Sequence, residues 1–297
     1  MTVRYVRPVS HSAFIGRRLA LSALVLFVLV VLAHRFGPLT EPDFLALLLL
    51  AAAIATASLP LSLIGLVRLW QVGAEGGLAA SKALLYAALP LGVFLYGAVQ
   101  YTILPPLYDV TTDTADPPPF IVEPHAAQQW LPRPASITSG ERRAQLAAYP
   151  GLTGRRYEGA LDRVYAGVRK VVDAAGVSIL QAQGLSLVEP DLTERAAARD
   201  EQAPVPDLAP VPVPRPEPSP AQAFGEAEDV LLQGEMRTLL AGLRFDLMIR
   251  LREDEETTSV DIRVLSRYGP HDLGLGNQIA EDILDRLDTE LLGLAGG

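Results

Sequence analysis

The chain has no cysteine among its 297 residues. That one absence excludes a disulfide framework, a thiolate nucleophile and any thiolate-held metal. Lysine is nearly missing as well: Lys82 and Lys170 stand alone among 25 cationic residues, an arginine bias that, with abundant alanine, fits a GC-rich bacterial genome. Only four histidines occur, and no metal-ligand spacing appears among them and the acidic residues. Positive charge is in deficit, net −9, and after Leu104 there is no basic run interleaved with aromatics, so nucleic acid is excluded as a partner. The dinucleotide fingerprint is incomplete too, since Gly274-Leu-Gly276 lacks its third glycine and follows no strand-to-helix unit. No cofactor and no metal is expected.

What the chain does have is three long uncharged stretches, Leu19–Ala33, Phe44–Val67 and Ala83–Leu104. A helix needs about 20 apolar residues to cross roughly 30 Å of hydrocarbon. The second and third stretches qualify outright; the first spans if Arg17 and Arg18 reach one headgroup layer and His34 to Phe36 the other. Arg4, Arg7, Arg17, Arg18, Arg68 and Lys82 flank one side of this block, and only Arg35 the other. By the positive-inside rule, residues 1–18 lie in the cytoplasm, 19–104 form three transmembrane helices, and the rest of the chain is periplasmic. The expected location is a bacterial inner membrane, with the lipid bilayer as first partner. A competing reading takes the first stretch as a cleavable signal peptide; it leaves the downstream part exported all the same.

Residues 105–135 carry eight prolines and no helical or strand period, which predicts an extended stalk lifting a domain off the bilayer. Within it, Asp109-Val-Thr-Thr-Asp113 reads either as a solvated linker or as an acidic strip that docks on the domain or binds a cation. Residues 136–297 read as an α+β domain. A short helix is expected at Glu141–Ala148 and an amphipathic one at Glu158–Ala175. Short strands follow at Val177–Gln181 and Leu185–Val188, and a disordered proline-rich insertion falls at about 192–225. Asp229–Thr238, Phe245–Arg252 and Ser259–Arg267 alternate as half-buried strands, and Asn277–Leu292 is a closing helix. The fold class is therefore a membrane α-helical part followed by an α+β domain, with two helices packed on one face of an antiparallel sheet.

The other face of that sheet is charged. Asp246, Arg250, Arg252, Asp261, Arg263 and Arg267 alternate with the core residues, about 5 Å apart across paired strands. Two readings stand: a solvated ladder of ion pairs, or an anion-recognition surface centred on Arg263 and Arg267, with Ser266 at the strand end and Asp246, Asp272, Asp109 and Asp113 as companions. A guanidinium fork suits carboxylate or phosphate oxygens. On the second reading, replacing Arg263 and Arg267 by Ala leaves the fold intact and abolishes binding. A hydrolytic trio of Ser266, His271 and Asp272 lacks the spacing to orient its base.

Asp109-Val-Thr-Thr-Asp113 with Asp116-Pro-Pro-Pro-Phe120, then Tyr149-Pro150, then Val260-Asp-Ile-Arg263-Val-Leu-Ser266-Arg267-Tyr-Gly269 and Asp272-Leu-Gly274 resemble the bacterial domain of unknown function 1499. In its alphaproteobacterial form this domain trails three membrane spans. Two departures stand out: Phe245-Asp246 where an acidic pair is expected, and Asn277 one place late relative to Asp272. The resemblance implies fold and location and no activity. The expected function is non-enzymatic binding of an envelope component or protein partner through the polar sheet face. The alternative is carriage of a lipid or other apolar ligand in a pocket between helices and sheet.

Overall fold

The computed structural model describes residues 8–134, 136–188, 229–255 and 257–293. The proline-rich insertion at about 192–225 and the cationic residues Arg4 and Arg7 lie outside the described residues. Three long apolar helices come first: α1 (His11–Phe36), α2 (Glu41–Val72) and α3 (Gly77–Ile103). The shortest has 26 residues, about 39 Å at 1.5 Å per residue, which exceeds the hydrocarbon thickness. The first span is longer than its apolar stretch because the helix begins at His11 and runs through Arg17 and Arg18.

The three helices pack with small residues inward. Ala20, Ala23, Ala55, Ala83 and Ala87 form one buried cluster, and a Cβ added at Gly65 would stand 2.6 Å from the Ala13 Cβ. The large side chains Leu29, Leu63 and Leu85 point outward instead. Water would reverse that arrangement; lipid permits it, because tails solvate leucine and close backbone approach supplies the contact. Pro60 and Pro90 sit inside α2 and α3 without ending them.

The remaining elements are β1 (Asp109–Thr111), α4 (Ser139–Ala148), β2 (Arg155–Glu158), α5 (Leu161–Ala174), β3 (Ser178–Gln183), β4 (Val230–Arg237), β5 (Arg244–Asp254), β6 (Thr257–Ser266) and α6 (Leu275–Leu292). The sheet is antiparallel with order β1-β6-β5-β4-β3, and β2 pairs with β6 further along the edge that β1 occupies. Register sets Leu247 opposite Val264, Ile249 opposite Ile262 and Leu251 opposite Val260. Those residues make one apolar face, and α5 and α6 close over it with Val164, Val168, Val172, Ile283, Leu284 and Leu287. Each such side chain contributes about 1.5–3 kcal/mol when fully buried. α5 stops where expected: Gly176 takes φ 74, and Val177 N–H bonds the Val172 carbonyl at 3.0 Å, closing the helix end. Tyr157 Oη donates to Asp288 at 2.7 Å and ties β2 to α6; burial and that carboxylate push the phenol well above its usual range.

Three expectations are corrected. Leu185–Val188 is no strand: Leu187 N–H bonds Gly184 O and Val188 N–H bonds Leu185 O, so a single 3-10 turn satisfies the backbone locally. The interval between the helices and the sheet is filled by those core side chains, and neither of the two clefts described below opens into it. Residues 105–135 are not a stalk. Leu107 and Val110 are core residues, β1 is a strand of the sheet, and the chain after it lies along the domain. The domain also sits directly on the helix ends. His34 Nδ1–H donates to Ala241 O at 2.6 Å, and Glu41 accepts from Arg244 N–H at 3.2 Å. At α3, His271 Nε2–H donates to Leu104 O at 3.2 Å, and its ring stacks on Tyr101.

Candidate functional site

The charged face of the sheet is covered. Residues 112–127 cross it, and the acidic strip supplies the fastening. The strap begins as a continuation of β1, with Thr112 N–H on Ile262 O and Ile262 N–H on the Thr112 hydroxyl, both 2.9 Å. Asp113 then folds into a local turn by accepting from Ala115 and Asp116 N–H, each at 3.0 Å. This turn aims two carboxylates at Arg250, which reaches Asp113 at 3.0 Å, Asp116 at 2.9 Å and its cross-strand neighbour Asp261 at 3.1 Å. Arg250 is 2% exposed. Such a guanidinium stands in the interior only because three carboxylates compensate its desolvation; its Nε has no partner among the described residues. Burial pushes the Asp113 carboxyl up, but the two turn amides and Arg250 outweigh it and hold it below the usual range.

Arg263 is equally committed. Nε and Nη2 hold Asp109 at 3.0 and 2.6 Å, Nη1 donates to Pro118 O at 3.0 Å, and the guanidinium lies 4.6 Å from the Phe120 ring centroid. Gln145 on α4 pairs its amide with the Thr111 backbone, and Gln233 on β4 does the same for Val122. The strap is thus fixed at both ends. The expected open face is overturned for a physical reason: carboxylates from a segment about 150 residues away in sequence already occupy the arginine forks.

The structure divides the candidate residues into three groups. Asp109, Asp113 and Arg263 hold the strap. Ser266 and Asp272 hold the turn before α6: the Ser266 hydroxyl donates to Tyr268 O at 3.1 Å, and Asp272 accepts from Gly274 N–H at 2.8 Å and Gly276 N–H at 2.9 Å. Burial raises the Asp272 carboxyl, and those two amides offset part of the rise. His271 Nδ1 accepts from Leu273 N–H, so Ser266, His271 and Asp272 are each tied to backbone groups and make no relay with one another. The third group is Asp246 and Arg267. Arg267 grips Asp246 at 2.8 and 2.6 Å and Glu235 at 3.0 Å, and the Asp246 bond leads the effects that raise its pKa.

Asp246 and Arg267 line a cleft of about 620 Å³. Its walls are the connection between α1 and α2 (Pro38 to Glu41), the strap at Glu123 to His125, and the sheet at Arg244. Among the described residues no hydrogen bond or close ion pair is made by the Arg244 guanidinium, although its charge acts on Glu41, which its backbone N–H also holds at 3.2 Å. Sequence reading missed this cleft and the central place of Arg250. The signal for Arg250 was present, an arginine directly opposite Asp261 in register with the core. Glu41 and Arg244 lie 203 positions apart and carry no local signal.

A second cleft, of about 430 Å³, is lined by Arg35, Ser178, Glu235, Arg237 and Leu239. No grouping of three or more His, Asp or Glu able to hold a metal ion occurs among the described residues. No curated protein and no solved structure matches the chain. A family described as a protein of unknown function, DUF1499, matches residues 109–287. That span starts at the first residue of β1, so it takes in the strap, the charged face beneath it and most of α6. The chain belongs to this family of unknown function, DUF1499, carried behind three helices long and apolar enough to cross a membrane.

Proposed function

We propose that this is a multi-pass inner-membrane protein with a cytoplasmic N-terminus, whose periplasmic domain is a non-enzymatic binding module for an envelope component. The cationic residues Arg17, Arg18, Arg68 and Lys82 lie toward the bundle end away from the domain, against Arg35 beside it, which supports the orientation. In the Cys-free chain, a membrane-impermeant maleimide applied to intact spheroplasts should label Glu253→Cys and spare Glu75→Cys. The reverse pattern would overturn the orientation.

The ligand we infer is the headgroup of a membrane lipid bearing both a phosphate and a primary amine. One observation carries this: a guanidinium free of hydrogen bonds among the described residues, Arg244, in a cleft walled by the very connection that joins two membrane helices. A headgroup at the bilayer surface reaches that height without leaving its leaflet. Arg244 supplies a fork for phosphate oxygens, and Glu41 and Glu123 on the same walls accept hydrogen bonds from an ammonium. A quaternary amine cannot donate such bonds. Native mass spectrometry of the detergent-purified full chain should retain phosphatidylethanolamine over phosphatidylcholine. A charge-assisted bond contributes about 1.5–3 kcal/mol, so Arg244→Ala should lower retention by roughly tenfold or more. Equal retention of both lipids, unchanged in the variant, would sink the assignment.

A further inference from the structure

The two tips of the β5 strand differ in chemistry. At one end, the β5–β6 turn carries Glu253, Asp254 and Glu255, all charged. At the other, the β4–β5 hairpin presents Leu239 and Leu240, 85% and 87% exposed. A hairpin tip ordinarily takes polar turn residues, and two leucines at such exposure have little to pack against among the described residues of the domain. The loop is a built turn. Thr238 N–H bonds Leu243 O at 2.9 Å, its hydroxyl accepts from Leu243 N–H at 2.9 Å, and Gly242 takes φ 72 while donating to Thr238 O at 3.0 Å. The leucines are therefore held outward by the backbone around them.

Position decides what they meet. Ala241 O takes the His34 hydrogen bond at 2.6 Å, and a Cβ at Gly242 would stand 3.1 Å from the Arg35 Cα. The tip thus touches the last turn of α1 at His34 and Arg35. Arg35 and Arg237 line one cleft with Leu239, so cations stand beside the apolar tip at the level where a helix of this length leaves the hydrocarbon. Apolar residues flanked by cations are the composition of segments lying in the membrane interface. On the far flank, Leu273 reaches within 3.9 Å of where a Cβ on Gly97 of α3 would be, so the domain also leans on a second helix there.

We propose that the Leu239–Leu240 tip inserts into the lipid leaflet beside α1 as a fourth, non-spanning membrane contact, which sets the height and tilt of the domain. This rests on α1 spanning the bilayer and not on the headgroup reading of the cleft. The test uses the Cys-free full chain in phosphatidylethanolamine and phosphatidylglycerol vesicles, with an environment-sensitive fluorophore on a single introduced cysteine. Leu240→Cys is the probe, Leu29→Cys on the lipid side of α1 the positive reference and Glu253→Cys the aqueous one; all three sites are exposed, so the fold tolerates the label. The label at 240 should be blue-shifted relative to 253, quenched by lipids carrying a nitroxide near the headgroup end of the acyl chain, and shielded from iodide. A label at 240 matching 253 while 29 is quenched would overturn the insertion alone. Shielding from iodide without nitroxide quenching would also overturn it, since a protein surface would then cover the tip. Loss of quenching at 29 as well would remove the spanning helix on which the proposal rests.

Discussion

Arg263 holds Asp109 with two parallel hydrogen bonds, Nε at 3.0 Å and Nη2 at 2.6 Å, and so fastens the first strand after the membrane to β6. Asp109 is 2% exposed, and among the described residues its other ion-pair partner is Arg142, at a longer 3.4 Å. Removing the fork leaves a buried carboxylate nearly uncompensated, which costs about 3–5 kcal/mol. Arg263→Ala should therefore lower the thermal midpoint of the detergent-solubilised chain and open residues 113–122 to protease. Arg263→Lys should fall between, since an ammonium cannot hold both oxygens in one plane. An unchanged midpoint and cleavage pattern in Arg263→Ala would contradict the fastening. This replaces the expectation that the Arg263 and Arg267 alanine variants leave the fold intact.

Arg250 is the second test of the strap. Arg250→Met removes the charge that Asp113, Asp116 and Asp261 share. We expect a loss of about 3–5 kcal/mol, or roughly 6–20 °C in midpoint for a domain of this size. Adding Asp261→Asn to Arg250→Met should recover part of that loss, because the least exposed of the three stranded carboxylates is then neutral. A double variant no more stable than the single one would show that the three carboxylates find compensation elsewhere.

Much of this fold is legible in the sequence, and the gaps have physical causes. Phe245, Leu247, Ile249 and Leu251 alternate with charged or sulfur-bearing partners over a full strand, so period and face are both written locally. Leu161, Val164, Val168 and Val172 do the same for α5, and the uncharged stretches announce the spans. The docking of the Asp109–Asp113 strip was legible only as one of two readings, because its contacts are polar and distant. Asp109, Thr112 and Asp113 are residue types that sit in solvent in most proteins, and only pairing with Arg263, Asp261 and Arg250 across some 150 positions buries the first two and half-buries the third. Asp246 and Arg267 were legible as site candidates from their alternation. Arg244 was not, because its place depends on the cleft that the α1–α2 connection forms with the sheet, and no periodicity links a helix start to a strand 203 positions later.

Acid should loosen the strap. The Asp113 carboxyl is held below its usual range in the folded chain, so its contribution is fully present above the unfolded value of about 3.9 and is lost as pH falls through the lower folded value. Asp113→Asn should lower the thermal midpoint at neutral pH and flatten its decline below about pH 4. A variant whose decline parallels the wild type throughout would show that Asp113 is not a group the acid transition works through.

The central claim is that the domain is seated directly on the ends of the helices and not carried on a stalk. The pair Arg35→Cys and Gly242→Cys tests it most directly, because a Cβ built at Gly242 would stand 3.1 Å from the Arg35 Cα, so in the seated domain the two thiols are neighbours, at the cost of some backbone strain where Gly242 takes φ 72, and the chain has no other thiol. In membranes treated with a mild oxidant, both thiols should disappear to maleimide, while the control pair Arg35→Cys and Glu253→Cys stays fully labelled. If the 35–242 pair labels as completely as the control, the domain is not seated where the contacts at His34, Glu41 and Leu104 put it.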